Sequence, residues 1–157
     1  MKGLILAAGL GSRLKHKTND IPKAMVKVKN KPIISWQIDA LKYNNIREIG
    51  VVLGYKSKVL KSYLLQNHKD IKFSFYINKE YKTSNSAYSF YIAKEYVKEE
   101  TYIHLNCDIL FSKELLEEVI KSKHSNVISL SKKIDLTDNM EQVELDSNNK
   151  IIKMANV

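Results

Sequence analysis

Residues 4–23, LILAAGLGSRLKHKTNDIPK, hold the residue types that could do chemistry. Leu4, Ile5 and Leu6 form an unbroken apolar run, which then gives way to Ala7, Ala8, Gly9, Leu10, Gly11, Ser12 and Arg13. Small residues followed by two glycines let a backbone pass close to a bulky anion. Consecutive N–H groups in such a turn converge on one concavity and bind phosphate oxygens. Arg13 adds a planar, permanently charged fork suited to phosphate. Ten residues on, Pro22 fixes the backbone just before Lys23, a compact positive charge. The chemistry these residues suit is the holding of a nucleotide's triphosphate.

Other glycine-rich loops fit less well. A P-loop requires G-x-x-x-x-G-K-[ST], whereas Gly9 and Gly11 are too close together and no Lys-Ser or Lys-Thr pair follows. The dinucleotide fingerprint G-x-G-x-x-G is met at Gly9 and Gly11 but ends on Leu14. Taken alone, a Gly-x-Gly after a strand serves equally as an ordinary turn beside a solvated arginine.

The elements that must position these groups follow from periodicity. Strands are expected over 2–6, 48–53, 71–77, 101–106 and 126–130. Helices are expected over 32–43, 57–66, 86–97 and 112–121, with Ser57 as a helix cap. Residues 24–28 read as a short extended piece closed by a turn at 29–31. Residues 140–145 and 150–154 read as a hairpin around 146–149. Trp36 reads as a packing residue. Alternating β and α segments predict an α/β fold, a three-layer α/β/α sandwich with a mostly parallel, Rossmann-like sheet. Ligands then bind beyond the carboxyl ends of the strands. The glycine loop stands at one such end and Asp108 at another, although an aspartate there can also simply cap a turn or the next helix. Residues 78–86, NKEYKTSNS, form a second polar stretch opening a helix, with Ser84, Asn85 or Ser86 as its cap.

With those residues in place, a resemblance emerges. L-A-A-G-x-G-S-R-L at 6–14, P-K-A-M at 22–25 and K-P at 31–32 resemble the N-terminal signature of the sugar-nucleotidyltransferase superfamily. Tyr81, Thr83, Asn85, Tyr88 and Ser89, spaced Y-x-T-x-N-x-x-Y-S, resemble a motif of its phosphocholine-type cytidylyltransferases. The resemblance implies a GT-A-like sheet and nucleotide binding by Leu6, Ala7, Ala8, Gly9, Gly11, Ser12, Arg13, Lys23, Thr83, Ser84 and Asn85. It gives Arg13 and Lys23 catalytic roles and makes Asp108 a magnesium (Mg2+) ligand. It implies transfer of a nucleoside monophosphate, CMP favoured, from the triphosphate (CTP) to a small phosphorylated acceptor such as phosphocholine, with release of pyrophosphate. The alternatives are a sugar-1-phosphate nucleotidyltransferase using UTP or dTTP, and a non-catalytic nucleotide-binding domain.

The chain departs from that pattern in two ways. The superfamily often carries Gly-Asp where this chain has Cys107-Asp108. Its members usually continue further, into part of the acceptor pocket and a second metal-binding aspartate. Asp135, Asp138 and Asp146 sit in no context matching that ligand. The expectation is one nucleotidyltransferase domain over 1–157, lacking the acceptor-binding part.

Composition bounds the rest. The 157 residues are 44% hydrophobic and 27% charged, as in ordinary folded proteins rather than disordered ones. No apolar run approaches the roughly 18 residues of a membrane helix, and no signal-peptide pattern opens the chain, so a cytoplasmic location without membrane partners is expected. The net charge of +9 raises nucleic acid as a partner. The lysines are scattered rather than clustered, so no nucleic-acid site is expected, and a positive field draws in small anions as well. A homo-oligomer is left open. Cys107, the single cysteine, reads as a small buried thiol. His16, His68, His104 and His124 lack metal-ligand spacing.

Overall fold

The computed structural model describes residues 1–11, 14, 18–131 and 141–156, the side chains of Glu141, Ala155 and Asn156 excepted. They form two compact units, residues 1–123 and 124–157.

The first unit is built on a four-stranded sheet. After strand β1 (Lys2–Ala7) come the 3-10 turn Lys23–Met25 and the short strands β2 (Lys27–Val28) and β3 (Lys31–Pro32). Helix α1 (Ile33–Tyr43), strand β4 (Glu48–Leu53), helix α2 (Ser57–Asn67) and strand β5 (Lys72–Ile77) come next. Then come helices α3 (Ser86–Ile92) and α4 (Lys94–Val97), strand β6 (Tyr102–Asn106) and helix α5 (Lys113–Lys121). The sheet order is β5-β4-β1-β6, and every pairing in it is parallel. Register sets Leu6 beside Val52 on one side and beside Asn106 on the other.

The central strands β1 and β4 are buried along nearly their whole length, which is why they read as unbroken apolar runs. Alternation along β1 sends its side chains to two cores. Ile5 and Ala7 join Ile34, Ile38, Leu41, Leu60, Leu64 and Leu116 beneath α1, α2 and α5. Leu4 and Leu6 join Val52, Ala93 and Val97 beneath α3 and α4. Helices thus cover both faces, as the α/β reading requires. Gly50 on β4 faces the second core: a Cβ there would lie 2.6 Å from the Tyr96 ring.

Local chemistry altered several expected boundaries. Lys29 and Asn30, both at positive φ, link β2 to β3 in a two-residue hairpin loop. Ala24 and Met25 lie in the 3-10 turn rather than in an extended piece. Pro32 closes β3 and caps α1 instead of entering its first turn. Ser57 is the first residue of α2, not its cap; left-handed Lys56 holds that place. The helix expected over 86–97 breaks at Ala93 into α3 and α4. Along α5, Leu116 is buried, whereas its neighbour Leu115 is exposed. Trp36 packs as expected: its Nε1 donates to the Val28 carbonyl and the Lys31 ammonium lies over its ring.

In the second unit, β7 (Glu141–Leu145) pairs antiparallel with β8 (Ile151–Asn156). The Asp146 carboxylate ties their turn by accepting from the amides of Asn148 and Lys150, each at 2.8 Å. The strand expected over 126–130 does not form: its backbone is irregular, and Val127, Ile128 and Leu130 are exposed. Strand propensity needs a neighbouring ladder and a surface to cover, and no described strand pairs with this segment.

Candidate nucleotide-binding cleft

The carboxyl ends of β1, β5 and β6 open onto one cleft of about 370 Å³ in the first unit. Leu6, Ala8, Gly9 and Gly11 form its floor, Lys23 and Asp108 face it on one side, and Asn78, Ser84 and Asn85 line the other.

The floor is held by backbone contacts. Tyr55 donates its amide to the Ala8 carbonyl at 3.0 Å and its hydroxyl to the Asn19 carbonyl at 2.7 Å. That approach needs Gly54, where a Cβ would stand 2.4 Å from the Ala8 oxygen and 2.7 Å from the Tyr81 Cβ. Gly11 adopts φ +68°, a left-handed conformation natural to glycine. Its carbonyl accepts from the Leu14 amide at 2.9 Å and the Thr18 hydroxyl at 3.1 Å. Gly9 differs: a Cβ there would meet nothing within 4 Å. The backbone at Gly9 therefore borders open space that a ligand can enter.

The charged side joins residues far apart in the chain. Pro22, at φ −67°, leads into the 3-10 turn that lifts Lys23. Its ammonium is ion-paired with Asp108 Oδ2, and both side chains are about a third exposed. Asp108 sits on the turn leaving β6, where the Cys107 amide still reaches the Leu6 carbonyl at 3.2 Å. Burial, reinforced by the neighbouring Asp108 charge, pushes the Cys107 thiol up to about 12. It stays a protonated, inert thiol at neutral pH, in line with the sequence reading.

The opposite side is neutral. Asn78, 1% exposed, donates through Nδ2 to Ser84 Oγ at 2.9 Å and Ser89 Oγ at 3.0 Å. Asn85 caps α3 by accepting from the Tyr88 amide at 3.1 Å. Tyr81 packs near Tyr55 with ring centres 6.3 Å apart.

Eight of the expected site residues therefore meet: Leu6, Ala8, Gly9, Gly11, Lys23, Ser84, Asn85 and Asp108. Ala7 is buried in the core beneath the sheet and does not line the cleft, because alternation turns it away from Leu6 and Ala8. Thr83 does not line it either; its hydroxyl donates to the Glu80 carbonyl at 3.3 Å. Ser12 and Arg13 lie outside the described residues, as do Asp135 and Asp138. Asn78, Tyr81, Ser86, Ser89 and Asn106 line the cleft without having been named as site residues. Asn78 carried a signal, being the polar residue that ends an apolar alternating strand.

A nucleotidyl transferase family model matches residues 2–154 of this chain. The chain belongs to the nucleotidyl transferase family. Among its relatives in that family, a CTP:phosphoglutamine cytidylyltransferase of Campylobacter jejuni is 40% identical over 84% of this chain and 53% of its own length. A D-glycero-alpha-D-manno-heptose 1-phosphate guanylyltransferase of the same organism is 31% identical over 97% of this chain and 66% of its own. The solved CTP:phosphocholine cytidylyltransferase of Streptococcus pneumoniae superposes with a TM-score of 0.71 at 28% identity. That superposition covers 98% of this chain and 63% of the other. This nucleotidyl transferase family chain thus spans roughly half to two-thirds of the length of the relatives it matches.

The donor set suits magnesium in one particular way. No group of three or more His, Cys, Asp or Glu gathers among the described residues, so Asp108 stands as a lone carboxylate facing the cleft. Magnesium commonly takes one or two carboxylates and completes its shell with water and substrate phosphates. Asp108 fits that pattern if a polyphosphate lies beside it. No helix among the described residues is long and apolar enough to cross a membrane.

Proposed function

We propose that this chain binds a nucleoside triphosphate, CTP favoured, and transfers its CMP to a small phosphorylated acceptor with release of pyrophosphate. The observation that carries this reading is the meeting of Lys23 and Asp108 over the glycine-loop floor of one cleft. The acceptor's phosphate oxygen would attack the α-phosphorus, forming an O–P bond as the bond to the β-phosphate oxygen breaks. Main-chain N–H groups of the glycine loop would bind phosphate oxygens, and the Lys23 ammonium would turn from Asp108 to the charge gathering on the departing pyrophosphate. We assign Arg13 to the same charge. Magnesium held by Asp108 would neutralise phosphate charge and make the phosphorus more electrophilic. Leu6, Ala8, Ser84 and Asn85 would shape the cleft, whose fixed walls supply positioning. The relatives that handle CTP support the preference for that nucleotide.

A second reading, a sugar-1-phosphate nucleotidyltransferase, is favoured by the likeness to the heptose 1-phosphate guanylyltransferase over nearly the whole chain. Calorimetry with CTP, UTP, dTTP, GTP and ATP, each with magnesium, separates the two. CTP should bind at least tenfold more tightly than the rest; preference for another base overturns the CMP assignment. A pyrophosphate-release assay with phosphocholine and sugar 1-phosphates then tests transfer. Tight CTP binding without release with any acceptor would leave a nucleotide-binding domain only.

A further inference from the structure

The turn carrying Asp108 is held from behind by a side chain outside the cleft. Gln37 lies on the inward face of α1 and is 1% exposed. Its Nε2 donates to the Asn106 carbonyl and to the Ile109 carbonyl, both at 2.8 Å. These two carbonyls bracket Cys107 and Asp108. A primary amide has two N–H donors, and each has its own acceptor here. The backbone closes the same turn only weakly, with the Ile109 amide 3.4 Å from the Asn106 oxygen.

The other end of that amide shows what the residue is not there for. Gln37 Oε1 is buried with no hydrogen-bond partner. A buried acceptor left unpaired is unfavourable, and its neighbours along α1, Ile34, Ile38 and Leu41, are wholly buried and apolar. For packing alone, an apolar side chain of similar volume would serve better. The benefit of an amide lies at the nitrogen, on the turn.

We propose that Gln37 is a positioning residue: by clamping the carbonyls of Asn106 and Ile109 it holds the Asp108 carboxylate facing the cleft, beside Lys23. Gln37 acts through the turn and touches no reacting group. What Asp108 then does rests on the proposed function, but the aim of the turn does not, and the two can be tested apart.

Hydrogen exchange tests the clamp without any ligand. In Gln37→Met, protection of the Cys107 and Ile109 amides should fall at least tenfold while Val51 and Leu53 in β4 keep theirs. A uniform loss across the sheet, or no loss at the turn, overturns the proposal. If that variant does not fold, the wild-type chain decides. The Gln37 Nε2 protons should exchange slowly and show couplings across their hydrogen bonds to the 106 and 109 carbonyl carbons, and their absence overturns it. Manganese binding in the presence of CTP, read by electron paramagnetic resonance, then tests the consequence. Gln37→Met should weaken it about fivefold in the wild-type background and not at all in Asp108→Asn. An equal loss in both backgrounds overturns the link to Asp108. Manganese binding indifferent to Asp108→Asn itself would instead defeat the metal role given to Asp108, leaving the exchange result standing.

Discussion

The two sides of the cleft are made differently. The side formed by the ends of β1 and β6 carries charge, with Lys23 and Asp108 meeting above main chain. The side after β5 carries amides and hydroxyls, knitted together by Asn78, Ser84, Ser89 and Asn85. Charge in a partly solvated cleft attracts any polyphosphate and discriminates little between bases. Neutral groups in fixed positions discriminate strongly, because a mismatched ligand leaves them unpaired. The charged side is therefore expected to govern turnover, and the neutral side to govern which nucleotide is accepted.

The largest effect should come from removing charge. Lys23→Ala is expected to reduce pyrophosphate release by about 100- to 1000-fold, the range found for losing one preorganised stabilising donor. Its melting temperature should stay within a few degrees, since an ion pair this exposed contributes little to stability. Full turnover in that variant would break the division between the two sides.

Next in size is a pair of glycine substitutions that separates building the floor from serving a ligand. Gly54→Ala drives a Cβ into the Ala8 backbone and should cost about 3 kcal/mol, a fall in melting temperature of roughly 6–12 °C for a chain of this size. Gly9→Ala meets open space and should leave melting nearly unchanged while weakening nucleotide binding by calorimetry. Equal destabilisation by both would show that Gly9 is structural after all.

On the neutral side, Asn78→Ala frees Ser84 and Ser89. It should destabilise the chain by about 1–2 kcal/mol and narrow any preference between CTP and UTP. Turnover with the preferred nucleotide should suffer far less than in Lys23→Ala. Competition binding with both nucleotides would read this directly, and an unchanged ratio would move base selection elsewhere.

The smallest effect lies away from the cleft. His68 is buried against Ser35, 3.0 Å from its hydroxyl, and burial lowers its pKa below 6.5, outweighing the raising effect of Asp39. A base held neutral by folding binds fewer protons folded than unfolded. Its stabilising share is complete above pH 6.5 and is lost as pH falls from there toward the folded value. Melting temperature should therefore drop between pH 7.5 and pH 5.5, and His68→Gln should flatten part of that slope without altering the balance between the two sides of the cleft.

How legible these two sides were in the sequence differs in the same way. On the charged side, a short stretch carries its own geometry: an apolar run ending in Gly9 and Gly11 announces strand then loop, and Asp108 follows directly on a strand. On the neutral side, Ser84 and Asn85 were readable as a helix start. Asn78's ties to Ser84 and Ser89 were not, because a side-chain amide announces no partner. Thr83 was carried along by the motif, yet its hydroxyl turned to the Glu80 carbonyl.

The sequence by itself determined the α/β alternation, the buried central strands and the glycine turn. Each depends on neighbours within a few residues, through periodicity and φ preference. It did not determine that 126–130 would have no partner strand among the described residues, since pairing is not a local property. Only the tertiary structure decided that Lys23 meets Asp108 and that Gln37 clamps the turn between Asn106 and Ile109. Those contacts span 69 to 85 positions of chain, and what brings them together is the parallel packing of β1 against β6 with α1 laid over the sheet.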